Sequence, residues 1–107
     1  MLVTKGEYEI DDDPGRIDLD VVHGFLTTSY WAEGVPRDVV ARSVANSLVL
    51  GLYQGRQGAQ VGLTRVVTDR ATFAYLCDVY VLEAHRGRGL SKWMMEAIVA
   101  NPDEKIS

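Results

Sequence analysis

The chain has 107 residues, 47% of them hydrophobic and 24% charged, with a formal net charge of −4. That length fits one domain with a modest core, and the acidic balance argues against a surface that grips nucleic acid through its backbone. The apolar runs are too short to span a bilayer, the first residues lack the apolar stretch of a secretory signal, and the single cysteine, Cys77, rules out an internal disulfide or a cysteine-built metal site. The expectation is a cytoplasmic protein with no membrane, metal or nucleic-acid partner. Its charge is uneven: Asp11, Asp12, Asp13, Asp18 and Asp20 load the N-terminal part, while Arg86, Arg88 and Lys92 cluster near the other end. This pattern predicts a local anion site on an acidic body.

In chain order, residues 7–11 read as a short strand and Asp12-Asp13-Pro14-Gly15 as a turn. A helix follows, capped by Asp18, with Leu19, Val22 and Leu26 on one face and Val21 and Phe25 beside them. Residues 27–34 interrupt that period and carry Tyr30 and Trp31. Pro36 suits the first turn of a second helix over 37–45, with Val40 and Val44 facing the core. The period then becomes strand-like. Strands are predicted over 47–53, 60–68 and 71–82, joined by a Gly-rich turn at 54–58 and by Asp69-Arg70, as a three-stranded antiparallel meander. Val61, Leu63, Arg65 and Val67 should share one face of the middle strand. On the third, Phe73, Tyr75, Cys77, Val79 and Val81 should share one face, and Ala74, Leu76, Asp78 and Tyr80 the other. A last helix over 90–100 carries the stripe Leu90, Trp93, Met94, Ala97 and Ile98, and Asn101-Pro102 ends it.

The chemistry concentrates at the join between the third strand and the last helix, Arg86-Gly87-Arg88-Gly89-Leu90-Ser91. The first N–H groups of a helix have no intrahelical acceptor and favour an anion. Gly87 and Gly89 let the backbone approach a phosphate and adopt unusual angles. Arg86 and Arg88 add charge-assisted donors, and Ser91 adds a hydroxyl. A P-loop needs a wider glycine spacing followed by Lys-Ser or Lys-Thr, and the dinucleotide fingerprint needs three glycines in a parallel unit, so neither fits. The remaining alternatives are a solvated Arg-Gly turn or an RNA-binding Arg-Gly tail, and the ordered strand and helix on either side speak against both.

Arg86-x-x-Gly89-x-Ser91 resembles the acetyl-CoA motif of the GNAT acyltransferases, Arg/Gln-x-x-Gly-x-Gly/Ala, with Ser91 departing at the last position. Asp78-Val79-Tyr80-Val81 is similar to that family's fourth strand. Tyr30-Trp31, Asn46-Ser47, Thr68-Asp69 and Phe73-Ala74-Tyr75-Leu76 resemble a bacterial subgroup, so the likeness runs from Tyr8 to Pro102. It implies an α/β (α+β) GNAT-like fold: short strand, two helices, three-stranded meander, pyrophosphate loop, helix. It further implies acetyl-CoA as co-substrate and direct transfer of acetyl to a small primary amine. In that reading the backbone of Val79, Tyr80 and Val81 pairs with pantetheine. Arg86, Gly87, Arg88, Gly89, Leu90 and Ser91 hold the pyrophosphate, and a strand-edge N–H polarises the acetyl carbonyl.

The family's domain continues into a further strand, a helix often carrying an acidic tyrosine, and two more strands. The 107 residues do not reach these, so the expectation is a single, truncated domain with an open edge on the third strand and self-association through it. The alternative function is a non-catalytic member that binds CoA or only self-associates. Asp78 is a candidate general base acting through water, against a structural role at a strand end. Tyr30 and Trp31 are candidates for the acceptor pocket, against simple packing. Cys77 is read as buried and inert, and His23 and His85 as structural or solvated.

Overall fold

The computed structural model describes residues 2–56 and 58–100. Five strands, β1 (Leu2–Lys5), β2 (Tyr8–Asp11), β3 (Leu48–Gln54), β4 (Gln60–Thr68) and β5 (Ala74–Val81), lie side by side in that order, every neighbouring pair antiparallel. Helices α1 (Leu19–Leu26) and α2 (Arg37–Ala45) connect β2 to β3, and α3 (Leu90–Ala100) follows β5. The α+β class and the predicted order of elements hold, with one addition. Instead of a lone first strand at 7–11, β1 and β2 form a hairpin that turns at Gly6, where φ is +59°. β1 is short and largely exposed, so it leaves no alternation of apolar residues to read. The predicted meander is thus the inner part of a five-stranded sheet, extended by the hairpin alongside β3.

The sheet separates two cores. Leu90, Met94, Ala97 and Ile98 of α3 pack on the face carrying Ile10, Leu50 and Leu52. Val22 and Leu26 of α1 and Val40 and Val44 of α2 pack on the opposite face against Val49, Leu63 and Tyr80. Burying each Val, Leu, Ile or Met side chain among these contributes about 1.5–3 kcal/mol, so the helical stripes read from sequence also hold the layers together. Asp18 caps α1 as predicted, its carboxylate accepting from the N–H groups of Asp20 and Val21.

Two bulges correct the predicted strand faces. Leu52 pairs with Gly62 but Tyr53 with Gln60, so Val61 is an extra residue and joins the α3 core while Leu63 faces α1 and α2. Arg65 pairs with Asp78 but Val66 with Leu76, leaving Cys77 as the extra residue of β5. Beyond that bulge the alternation inverts. Tyr75 falls on the side of Asp78 and Tyr80, and Leu76 on the side of Val79 and Val81.

β5 begins at Ala74 rather than at residue 71 because Asp69 organises the preceding turn. One carboxylate oxygen accepts from the N–H groups of Ala71, Thr72 and Phe73 at 2.9, 2.8 and 3.0 Å, and the other from the Thr72 hydroxyl at 2.6 Å. The expected helix stop at Asn101-Pro102 and the residues beyond it lie outside the described residues. Among the described residues no helix is long and apolar enough to cross a membrane.

Candidate functional site

β5 is the terminal strand of the sheet, and its end runs straight into the Arg-Gly loop. Leu82 N–H donates to Val61 C=O at 2.8 Å. That bond makes Gly62 and Val81 a non-hydrogen-bonded pair, which turns the N–H and C=O of Val81, and by alternation those of Val79, toward the open edge. The backbone groups of Tyr80 face Leu63 instead. Of the three residues expected to offer backbone to a ligand, Val79 turns both its groups to the edge and Val81 keeps its N–H there while its C=O accepts from Arg86 Nε, whereas Tyr80 spends its groups within the sheet.

After Leu82 the chain makes a short 3-10 turn, Glu83–His85, fixed by His85 N–H to Leu82 C=O at 2.9 Å and Arg86 N–H to Glu83 C=O at 3.2 Å. Gly87 and Gly89 then take φ of +80° and +73°, a region other residues enter only at a cost, and α3 starts at Leu90. A Cβ at either glycine would meet nothing within 4 Å, so backbone conformation demands glycine here and the space beside it is open. Val81, His85, Arg86, Gly89, Leu90 and Ser91 line a cup of about 100 Å³ at the start of α3. Arg86 does not simply point outward: its Nε donates to Val81 C=O at 2.8 Å and clamps the loop to the strand end. Arg88 lies exposed, 3.9 Å from the Glu7 carboxylate.

The other sequence candidates meet on the α1 side of β5. Asp78 is buried, and Trp31 Nε1 donates to its Oδ1 at 2.8 Å while Arg65 Nε donates to its Oδ2 at 2.6 Å. Arg65 also donates to the Ser47 hydroxyl at 3.0 Å. Tyr30 and Trp31 are 91% and 43% exposed and meet edge to face, rather than being packed away between helix and sheet. Phe25 stacks on Tyr80 at 3.9 Å and lies 6.0 Å from Trp31, so an aromatic row leads from solvent to β5. Burial raises the Tyr80 phenol pKa, and the charge of Asp78 adds to the effect. Cys77, expected to be buried, is only half-buried because it occupies the bulge.

Sequence reasoning gave no site role to Arg65, Ser47, Arg16 or Tyr53. On the same side of β2 and β3, Glu9, Asp11, Asp13, Arg16, Asp18 and Tyr53 help line a cleft of about 740 Å³. Arg16 pairs with Glu9 at 2.7 Å and Asp11 at 3.2 Å, with its guanidinium 3.8 Å from the Tyr53 ring centre. Burial alone lowers the Arg16 pKa, but the hydrogen bonds to Glu9 and Asp11 and the charge of Glu9 outweigh it and the net direction is up. Burial pushes the Tyr53 phenol up to about 12, opposed by Arg16. Glu9, Asp11 and Arg16 lie within eight positions, but Tyr53 reaches them, and Arg65 reaches Ser47, only through strand pairing, which no local pattern announces. Nor was a partner visible for His23, whose Nε2 lies 3.1 Å from Val35 C=O, a structural role.

An antiparallel sheet whose last strand feeds a two-glycine arginine loop and then a helix defines an acyltransferase-type fold. Residues 20–101 match the acetyltransferase (GNAT) family, and the chain belongs to it. It is 32% identical over 113 residues to a "putative acetyltransferase" of Gibberella zeae, an alignment that takes in 89% of this chain and 64% of that protein. The chain therefore spans less than two thirds of that relative. A GNAT-family protein of the same description from Xanthomonas campestris pv. campestris, known from its crystal structure, is 38% identical. It superposes with a TM-score of 0.88 over 97% of this chain and 75% of its own. A GNAT-family acetyltransferase from Streptococcus pneumoniae, 21% identical, matches 99% of this chain and 73% of its own with a TM-score of 0.64, a likeness of fold.

Proposed function

We propose that the chain binds acetyl-CoA along the open edge of β5 and in the cup at α3, and that it passes the acetyl group directly to a primary amine. The observation that carries this reading is the conjunction of edge and cup. Among the described residues no strand pairs with the outer edge of β5, where Val79 and Val81 present backbone groups, and that edge leads within a few residues to a cup of N–H groups lined by Arg86 and two left-handed glycines. An extended pantetheine arm suits the first and a diphosphate the second. The space where Cβ atoms would stand at Gly87 and Gly89 is open, as a backbone cradle requires.

When bound, acetyl-CoA would supply an activated thioester: the amine nitrogen would bond to its carbonyl carbon, the carbon–sulfur bond would break, and the proton given up by the amine would be matched by one taken up as CoA leaves as free thiol. The chain's own contribution is placement. The Val79 N–H, next to the bulge, is the donor for the developing oxyanion. Tyr30 and Trp31 form an exposed aromatic wall for the acceptor, which suits an amine carried on an apolar or cationic body. Asp78, considered as a base from sequence, has both oxygens engaged by Trp31 and Arg65. In this reading it positions Trp31 and the bulged strand.

The test is acetyl transfer from acetyl-CoA to a panel of primary amines, followed by release of free thiol. The reading predicts turnover with at least one amine, and for Trp31→Ala a raised acceptor KM with unchanged CoA affinity. CoA binding without turnover on any amine would leave the non-catalytic CoA binder in its place.

A further inference from the structure

The cup contains a side chain that the sequence offered only as structural or solvated. His85 is half-buried and lines the cup beside Arg86 and Gly87. Its Nδ1 is 2.9 Å from the hydroxyl of Tyr8, the first residue of β2, which lies 77 positions earlier in the chain. The two rings meet edge to face, 5.8 Å between centres and 89° between planes. Tyr8 is buried in the α3-side core, so its hydroxyl is held in place by packing. The His85 backbone is equally fixed, through its N–H bond to Leu82 in the 3-10 turn. Next to Tyr8, Glu7 reaches Arg88 at 3.9 Å, so the N-terminal hairpin touches the loop at two points.

The direction of this hydrogen bond sets the tautomer of the ring. A neutral imidazole carries its proton on one nitrogen, and the hydrogen bond at the other decides which. A phenol donating to Nδ1 leaves the proton on Nε2. With Nδ1 occupied, Nε2 is the ring nitrogen left to serve the cup. Arg86 has its Nε engaged by Val81 C=O and keeps its Nη groups for the cup, so an Nε2–H on His85 adds a donor beside them.

Resting on the cofactor reading above, we propose that His85 is a diphosphate-binding residue of the cup. Tyr8 is its positioning residue, holding the ring as the Nε2–H tautomer so that it donates to an anion seated at the start of α3. The N-terminal hairpin is then part of the cofactor site, although its sequence lies far from the loop.

The experiment is a ¹⁵N correlation spectrum of the two imidazoles in the full chain, in mildly alkaline buffer, before and after adding CoA. His23 is the other histidine, and His85→Gln assigns the signals. The expected result is an unprotonated Nδ1 and a protonated Nε2 at His85, with CoA moving the Nε2 resonance. His85→Phe should weaken CoA binding about tenfold or more, the loss typical of one hydrogen bond to a charged group. His85→Gln, which keeps a donor, should recover part of it. Tyr8→Phe, which keeps the ring, should mix the tautomers and weaken binding several-fold with little change in Tm. A protonated Nδ1, an Nε2 resonance indifferent to bound CoA, or unchanged affinity in His85→Phe overturns the proposal while the cofactor reading stands. If the wild-type chain binds no CoA, the cofactor reading fails and this inference falls with it.

Discussion

Trp31 donates from Nε1 to Asp78 Oδ1 at 2.8 Å, tying the connection between α1 and α2 to the middle of β5. Arg65 completes the tie from β4, with its Nε 2.6 Å from Asp78 Oδ2 and a second donation to Ser47 at the start of β3. Two segments far apart in the chain therefore converge on one carboxylate, and Ser47 joins them through Arg65.

Removing that carboxylate should be expensive. Asp78→Ala strands the Arg65 guanidinium in a mostly buried position and should cost about 3–5 kcal/mol in denaturant unfolding. Asp78→Asn keeps an acceptor for Trp31 and should cost less. Equal stability of wild type and Asp78→Ala would show that the network is solvated rather than structural.

The two loop arginines should behave differently. Arg86 both faces the cup and clamps Val81, so Arg86→Ala removes a ligand and loosens the loop. Its loss in CoA affinity should be about 1.5–3 kcal/mol, as for a hydrogen bond to a charged group. Arg88, exposed and only 3.9 Å from Glu7, should lose less on truncation. Calorimetric titration of both variants gives the order, and a larger loss at Arg88 would contradict the geometry.

Asp69 provides a pH signature. The Thr72 hydroxyl, followed by the N–H groups of Thr72, Ala71 and Phe73, holds its carboxyl below the ordinary value of 3.8. A carboxyl with a depressed folded-state pKa stabilises above its unfolded value and loses that contribution as pH falls through the folded one. Wild type should therefore exceed Asp69→Ala in stability near neutrality, with the gap narrowing below about pH 4. Thermal melts across acid pH check this, and a constant gap would place the effect outside the carboxylate's charge.

The open edge of β5 is a surface with two possible occupants. Beside it, Phe73 and Tyr75 are 55% and 62% exposed. A second copy pairing edge to edge would use the same Val79 and Val81 groups that the cofactor reading assigns to pantetheine. Self-association through this edge and CoA binding should therefore compete. Sedimentation at rising concentration should show association that CoA reverses; association unaffected by CoA would locate the interface elsewhere.

The fold was legible where burial follows a simple period. The stripes of α1, α2 and α3, the Asp18 cap and the loop glycines each have a local cause, and each appears where the sequence placed it. The departures have non-local causes. β1 is exposed and gains its place only by pairing with β2. The bulges at Val61 and Cys77 depend on partner strands, and no pattern within β4 or β5 announces them. The same holds in the site. The Arg-Gly loop is contiguous and could be read directly. The pairs Trp31–Asp78, Arg65–Ser47 and Tyr8–His85 join residues from different elements and required the sheet to bring them together.

Titration of the full chain with CoA, alongside Gly89→Trp, tests the central claim most directly. Gly89 sits at φ +73°, where a bulky L side chain is strained and would fill the open side of the cradle. Saturable binding of one CoA by wild type and none by Gly89→Trp is the predicted result. Equal binding by both, or none by wild type, would contradict the assignment of the loop as the cofactor's diphosphate site.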